Sequence, residues 1–517
     1  MARAFRYNIQ FGAWPEPATG ATPLPMSVAA AILAKYEMVV GLEVHVQLLT
    51  RSKIFCGCST QFGGAANSQT CPVCLALPGA LPVLNREAVT MAMKAAMALH
   101  CTINPRSRFA RKNYFYPDLP KGYQISQYDE PLAEGGWVEI ELDGAPKRIG
   151  ITRVHLEEDA GKSLHEGFAD SAARSRIDLN RSGVPLIEIV TEPDLRSPEE
   201  AHEFLTRLKT VMLYLEVSDC NMEEGSLRCD ANASVRRAGE SAFGTKTEVK
   251  NLNSFRFLQR SLAYERERQI SLLESAGEVV QETRLWDSRE QRTFGMRSKE
   301  FAHDYRYFPE PDLLPLTVDE AWQEQVRRLL PELPAARRER LIAQHALARQ
   351  DADHLTGSRA LADFYEGVVR AAADPRLAAN WVLGELLYLL NEAKREISAS
   401  PVSAEALAAL LALIAQGKIS GTMGKEILAE MFSTGYGAEE VMRDKGLEQI
   451  SDPGRITAAV RDIVAANPMQ AEQYRSGKTA TLGWFVGQVM KATRGQANPQ
   501  IVQEALKKEL GACDPQP

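Results

Sequence analysis

The sequence predicts an α+β protein, and three observations carry that expectation. Residues 36 to about 315 alternate short β-like runs ("WVEIELDG", "GVPLIEIV", "TKTEVKNL") with helical ones ("REAVTMAMKAAMALH", "PEEAHEFLTRLKTVMLYL"). From about 319 the chain turns to helix after helix, dominated by Ala, Leu, Arg and Glu, with almost no strand signal. The composition is that of an ordinary globular chain: 45% hydrophobic and 25% charged over 517 residues. That length allows roughly three domains at ~150 residues each.

Taken in order, the first segment is "MARAFRYNIQFGAWPEPATGATPLP", rich in Pro, Gly and Ala and without periodicity. Pro15, Pro17, Pro23 and Pro25 oppose the amphipathic helix of a transit peptide. Residues 1–35 are therefore expected to be a disordered extension, with Met26 as an alternative start. The net charge of −7 means that any nucleic acid must be met by local patches. No apolar run reaches the ~18–20 residues of a membrane span; "MSVAAAILA" (26–34) is too short.

Residues 39–48, "VVGLEVHVQL", read as a strand with Val40, Leu42, Val44, Val46 and Leu48 on one face. The other face carries Glu43, His45 and Gln47, unusual choices if solubility were the only demand. "RVHLEEDAGK" repeats the pattern, with Val154 and Leu156 opposing His155 and Glu157, then Glu158 and Asp159 at the strand end. "GVPLIEIVTEPD" embeds Glu188 in an apolar strand, and "MEEGSLRCDANAS" supplies Glu223, Glu224 and Asp230. A carboxylate buried in an apolar strand is costly without a cation or donor. One such acid is more often solvated or Arg-paired, but recurrence over four strands points to an oxygen-rich site suited to Mg²⁺.

Four of the eight cysteines, Cys56, Cys58, Cys71 and Cys74, form two close pairs around a short loop. That spacing fits a tetrahedral Zn²⁺ with no open position, hence a structural site in a reducing, cytoplasmic compartment. "DAGKS" (159–163) and "SGKTA" (476–480) resemble the end of a phosphate-binding loop. Each lacks the required upstream glycine, having Leu156 and Glu472 there, so neither qualifies. The stretch 109–131 mixes Arg111, Lys112 and Lys121 with Tyr114, Phe115, Tyr116 and Tyr123. Such a mixture serves equally for stacking on unpaired nucleotides or for packing rings on a core. Within the helical half, "SASPVSAE" marks a break near 400, with Ser400 or Ser403 as N-cap.

"GLEVHVQL", "RKNYFYPDLPKGYQISQYD", "HLEEDAGKS", "LIEIVTEPD", "EEGSLRCDAN", "KNLNSF" and "DYRYFPEPDLLP" resemble the B subunit of the aspartyl/glutamyl-tRNA amidotransferases. The resemblance continues through "GKTATLGWFVGQVMKATRGQANPQ" and covers residues 36 to about 511. It implies an ATP- and Mg²⁺-dependent carbon–nitrogen ligase working in a heterotrimer, whose other members are an amidase and a small third protein. Such an enzyme phosphorylates the side-chain carboxylate of Glu-tRNA(Gln) or Asp-tRNA(Asn), and ammonia released from glutamine by the amidase displaces the phosphate. The implied architecture is an antiparallel-sheet cradle (36–318), a helical domain (319–399) and a tRNA-contacting tail (400–517).

Carried onto this sequence, the family's Mg²⁺ ligands fall on Glu43, His45, Glu158, Glu188 and Asp230. Glu43, His45 and Glu158 are the implied catalytic residues, and Glu188, Asp230, Glu157 and Lys112 the cofactor-binding ones. His45 is left as a metal ligand or a handler of the ammonium proton. The resemblance supports a structural role for the zinc cysteines and points to Lys478, Lys491 and Arg494, around Trp484, for tRNA contact. No G-x-S-x-G elbow or amidase-type loop is present, so glutamine hydrolysis is assigned to a partner. The competing expectation is an inactive tRNA-binding scaffold, against which the intact acidic set speaks. A zinc or magnesium hydrolase would need an open zinc position, which four cysteines do not leave.

Overall fold

The alternation in residues 39–48 becomes the middle of a sheet. A computed structural model describes residues 28–511, except 166, 172, 299–301, 372, 447–451 and 494–495. Among these, nine strands form the main sheet: β1 (Tyr36–Gln47), β2 (Thr102–Ile103), β3 (Ala133–Leu142), β4 (Ala145–Glu158), β5 (Pro185–Thr191), β6 (Leu227–Arg237), β7 (Thr247–Lys250), β8 (Glu282–Asp287) and β9 (Arg292–Ser298). Their order across the sheet is β9-β8-β7-β6-β1-β5-β4-β3-β2. All neighbours pair antiparallel except β7 and β8. That parallel pair is joined through the helix Phe255–Glu274, the kind of crossover that parallel strands require.

One face of this sheet is apolar. Val40, Leu42, Val44 and Val46 of β1 are buried beside Ile187 and Ile189 of β5, Val154 and Leu156 of β4, and Cys229, Ala231 and Ala233 of β6. Helix Arg86–Ala98 packs on β4 and β3, and helix Phe255–Glu274 on β6. The first helix buries Ala88, Val89, Ala92, Met93, Ala95 and Ala96, a stripe of mostly small residues at helical spacing. Its N-terminus is capped by Asn85, which accepts from the Glu87 N–H at 2.9 Å; Ser254 caps the second by accepting from Phe257 N–H at 3.1 Å.

A three-stranded antiparallel sheet, Phe308–Pro309, Phe109–Asn113 and Tyr123–Gln127, lies with its last strand alongside β4. It delivers the basic–aromatic stretch to the sheet's polar face. Arg111 is not free for phosphate there: Nε and Nη2 donate to buried Glu310 at 2.7 and 2.8 Å.

The described residues divide into two compact units, one of residues up to 212 together with 216–329, and one of 213–215 together with those from 330 onward. The first unit takes in helix Glu320–Arg328, placed by the sequence beyond 318, because Val326 is buried and Trp322 lies under Arg86, 3.8 Å from the guanidinium carbon to the ring centroid. In the second unit one apolar core runs from Leu341 to Val441 and another from Ile456 to Leu510. Ser403 does cap a helix, Ala404–Ala415, but Leu407 and Leu411 share a core with Leu361 and Tyr365. The change of packing thus falls between 441 and 456, not at 400. Of the extension expected at 1–35, residues 1–27 lie outside the described residues, and Ala30–Leu33 forms a helical turn ahead of β1.

Candidate active site on the polar face of the sheet

Antiparallel register assembles the site. His45 on β1 stands opposite Arg228 on β6 and Glu188 on β5, and Glu188 stands opposite His155 on β4. Glu157, two residues along β4 from His155, shares its face. The His45 Nε2 atom lies 3.5 Å from both Glu157 Oε1 and Glu188 Oε2. His155 Nε2 is 3.3 Å from Glu188 and 3.7 Å from Glu157. Ser126 Oγ donates to Glu157 at 3.1 Å, and Arg153 Nη2 stands 4.0 Å from Glu188.

The electrostatics are those of a compact charge cluster. Burial works against charge on His45, but the hydrogen bond and charge of Glu188, with the charge of Glu157, outweigh it and raise the pKa. His155 is likewise opposed by burial and lifted by Glu188 and Glu157, to about 9. Burial pushes both glutamates up, yet the imidazoles hold Glu157 below and Glu188 well below the ordinary range. Ligand atoms of His45, Glu157 and Glu188 all lie within 4.8 Å of one another. Two carboxylates and an imidazole are a hard O/N donor set that fits Mg²⁺ or Mn²⁺ with water completing the shell.

This triangle floors a cleft of about 610 Å³, also lined by Glu43, Asp230, Arg153, Arg228 and Lys112. Burial disfavours the Lys112 cation, but the surrounding Tyr307, Glu157 and Glu188 raise its pKa. Asp159 ties strand ends together, accepting from Gln47 Nε2 at 2.7 Å and Arg228 Nη2 at 3.0 Å.

The structure brings some of the expected residues together and separates others. Glu43 lines the cleft but accepts from Asn232 Nδ2 at 2.9 Å, outside the triangle. Asp230 is paired with Lys250 at 2.5 Å. Glu158 requires a correction: as the neighbour of Glu157 it points through the other side of β4. There it accepts from Ile125 N–H at 2.8 Å and pairs with buried Lys121. The carboxylate that β4 sets beside His45 and Glu188 is that of Glu157. The "DAGKS" loop is closed by Arg181, which donates to the Ala160 and Gly161 carbonyls at 3.0 and 2.7 Å. His155, Arg153 and Arg228 lie outside the set of site residues expected from sequence. The period-two pattern of "TRVHLEE" held the signal for the first two, since Arg153, His155 and Glu157 fall on one face.

The cysteine knuckle lies elsewhere in the same unit. The Sγ atoms of Cys56, Cys58, Cys71 and Cys74 all fall within 4.8 Å of one another, and those of Cys71 and Cys74 are 3.9 Å apart. That donor set is compatible with a structural Zn²⁺. Hydrogen bonding from Cys56, helped by the Lys53 charge, draws the Cys74 thiol down to about 4, while burial pushes Cys58 up to about 11. Buried Lys53 stands 3.7 Å from Cys74 Sγ and donates to the Gln69 carbonyl at 2.7 Å. In the second unit, Lys478 and Lys491 are exposed. Trp484 is exposed too, its ring edge-on to buried Phe485 at 5.1 Å. Arg494 lies outside the described residues.

Comparison with known proteins gives this geometry a context. Residues 38–324 match the GatB/GatE catalytic domain family and residues 363–510 the GatB domain family. The B subunit of the aspartyl/glutamyl-tRNA(Asn/Gln) amidotransferase of Carboxydothermus hydrogenoformans is 55% identical over 478 residues, 92% of this chain and 99% of that protein. Its counterpart in Moorella thermoacetica is 55% identical over 476 residues, covering 92% and 100%. That of Geotalea daltonii is 54% identical over 476 residues, covering 92% and 99%. No helix among the described residues is long and apolar enough to cross a membrane. The chain belongs to the B-subunit family of the aspartyl/glutamyl-tRNA(Asn/Gln) amidotransferases.

Proposed function

We propose that this chain activates the side-chain carboxylate of Glu-tRNA(Gln), Asp-tRNA(Asn) or both with ATP, so that ammonia from a partner amidase can replace the phosphate. The observation that carries this is the His45–Glu157–Glu188 triangle on the floor of a cleft that also presents Arg153, Arg228 and Lys112. The relatives' names supply the aminoacyl-tRNA substrates and a multi-subunit assembly; an amidase and a small third protein are the partners that this proposal adds.

Two anions, a nucleotide triphosphate and a carboxylate, must approach within bonding distance. Their repulsion in a partly desolvated cleft is the barrier that this site has to lower. Held by His45, Glu157 and Glu188, a bound Mg²⁺ would neutralise phosphate charge and orient the transferred group. Glu157 and Glu188 are fixed by strand register, and Ser126 holds the Glu157 carboxylate in place. Arg153, Arg228 and Lys112 add cationic charge for phosphate oxygens on the cleft wall. Tyr114, Tyr305 and Tyr307 narrow the cleft and limit water at the activated carboxylate. His45, between two acids, serves as a metal ligand or takes a proton from the incoming ammonium. The cysteine knuckle, with four donors and no open position, stays outside the chemistry.

The test follows one oxygen atom. The full-length chain, co-purified with the amidase and the small third protein, is given ATP, Mg²⁺, ammonium and Glu-tRNA(Gln) labelled with ¹⁸O in the side-chain carboxylate, and likewise Asp-tRNA(Asn). Release of phosphate carrying ¹⁸O is the expected result, since displacement of an acyl phosphate leaves one carboxylate oxygen on phosphorus. ATP-dependent amide formation with unlabelled phosphate would refute carboxylate phosphorylation. Absence of ATP-dependent product from either substrate would favour a tRNA-binding scaffold.

A further inference from the structure

The wall of the cleft carries a stacked aromatic pair of which the chemistry above uses only Tyr307, and that only to limit water. Tyr128 and Tyr307 lie ring over ring, centroids 4.1 Å apart and planes 8° from parallel, and both line the cleft. Tyr307 is the inner member, its hydroxyl pushed up to about 12 by burial against the opposing pull of Lys112. Tyr128 is the outer member, 43% exposed.

The neighbouring rings are engaged otherwise. Tyr123 is covered by the Arg111 guanidinium at 4.2 Å, and Tyr305 by the Lys112 ammonium at 4.9 Å. Tyr114 meets Tyr116 and Tyr305 edge-on, at 69° and 77°. Among the described residues, no further ring or cation is seated on Tyr128. The stacked pair therefore ends in a flat, partly exposed ring at the wall of a polar, cation-lined cleft, and its inner ring lies near enough to feel the charge of Glu157 and Glu188. A flat π-face of this kind is complementary to a nucleobase, whichever base it is, while Arg153, Arg228 and Lys112 suit the phosphates attached to it.

We propose that the Tyr128–Tyr307 pair is the stacking platform for an adenine base in this cleft. The proposal rests on the activation chemistry assigned above, whose substrates bring adenine from two sources: ATP, and the 3′-terminal adenosine of the tRNA. Tyr307 fixes the plane and Tyr128 provides the contact face.

The experiment compares probes with and without the base. Binding of ATP and of inorganic tripolyphosphate, each with Mg²⁺, is measured by calorimetry on the full-length chain and its Tyr128→Ala, Tyr128→Leu and Tyr128→Trp variants. Binding of tRNA with and without its terminal adenosine is measured alongside, and thermal melts check folding. Stacking of ATP predicts about ten-fold weaker ATP binding in Tyr128→Ala and Tyr128→Leu, unchanged tripolyphosphate binding and recovery in Tyr128→Trp. Stacking of the tRNA end predicts the same loss for intact tRNA only, with ATP unaffected. Equal losses for ATP and tripolyphosphate, or no loss for any probe in folded variants, would overturn the platform. A wild-type chain that binds neither ATP nor tripolyphosphate would remove the activation reading itself, and this proposal with it.

Discussion

Two buried carboxylates on opposite faces of one sheet are held in contrasting ways. Glu265, on the helix behind the sheet, is paired to Arg268 at 2.7 Å and Arg284 at 3.2 Å, and it accepts from Thr293 Oγ1 at 2.5 Å and Thr247 Oγ1 at 3.1 Å. Glu188, on the cleft side, faces His155 at 3.3 Å and His45 at 3.5 Å, with a second carboxylate, Glu157, against the same imidazoles. Both acids ionise more easily than usual despite burial. The difference lies in the partners. Guanidinium groups never give up their charge, so Glu265 is locked into a permanent pair. Imidazoles can lose theirs, so Glu188 and Glu157 can pass from a proton-held state to a metal-held one.

The sharpest way to break that contrast is to neutralise each acid. Glu188→Gln is expected to cut ATP-dependent amidation by ~10³-fold or more, as a loss of charge stabilisation at a reacting centre. Its cost in folding should be modest, about 1–2 kcal/mol, because His45 and His155 can shed protons when the carboxylate goes. Kinetics and urea unfolding on one preparation check both halves.

Glu265→Gln should do the reverse: about 3–5 kcal/mol of folding stability lost, because Arg268 loses its buried carboxylate partner and Arg284 keeps only Glu282, with catalysis intact in whatever stays folded. The sign with pH follows from its lowered pKa. The stabilisation is present above the ordinary value of 4.5 and is lost as pH falls through the lower folded value. The gap between wild type and variant should therefore close in acid, as read by denaturant titrations at pH 7 and below pH 4.

With zinc loaded on the four-cysteine knuckle, its chelation is expected to lower stability by about 2–4 kcal/mol, comparable to a lost cross-link. Mg²⁺ affinity in the cleft should be little altered, as seen by titration before and after zinc removal. The smallest effects belong to the second unit. Lys478→Ala and Lys491→Ala should each weaken tRNA binding a few-fold and reduce the salt slope by about one. Affinities across a salt series check this.

Much of this organisation was legible in the sequence. The two faces of β1 followed from alternation alone, and the cysteine knuckle from spacing. What escaped was set by register between distant strands. Asp230 meets Lys250 because β6 pairs with β7, and His155 meets Glu188 because β4 pairs with β5, neither of which local pattern can fix. The Glu157/Glu158 choice was different, since parity along β4 already put Glu157 beside His155, and family likeness drew attention to its neighbour. The helix Glu320–Arg328 was misplaced because its partner, Arg86 on a distant helix, is invisible to composition.

The most direct test uses Mn²⁺ as a spectroscopic stand-in for Mg²⁺ and measures its affinity for the wild-type chain, Glu157→Gln and Glu158→Gln. At least ~100-fold weaker binding is expected for Glu157→Gln and an affinity within about three-fold of wild type for Glu158→Gln, whose side chain points away from the cleft. Loss of Mn²⁺ in Glu158→Gln with retention in Glu157→Gln would contradict it.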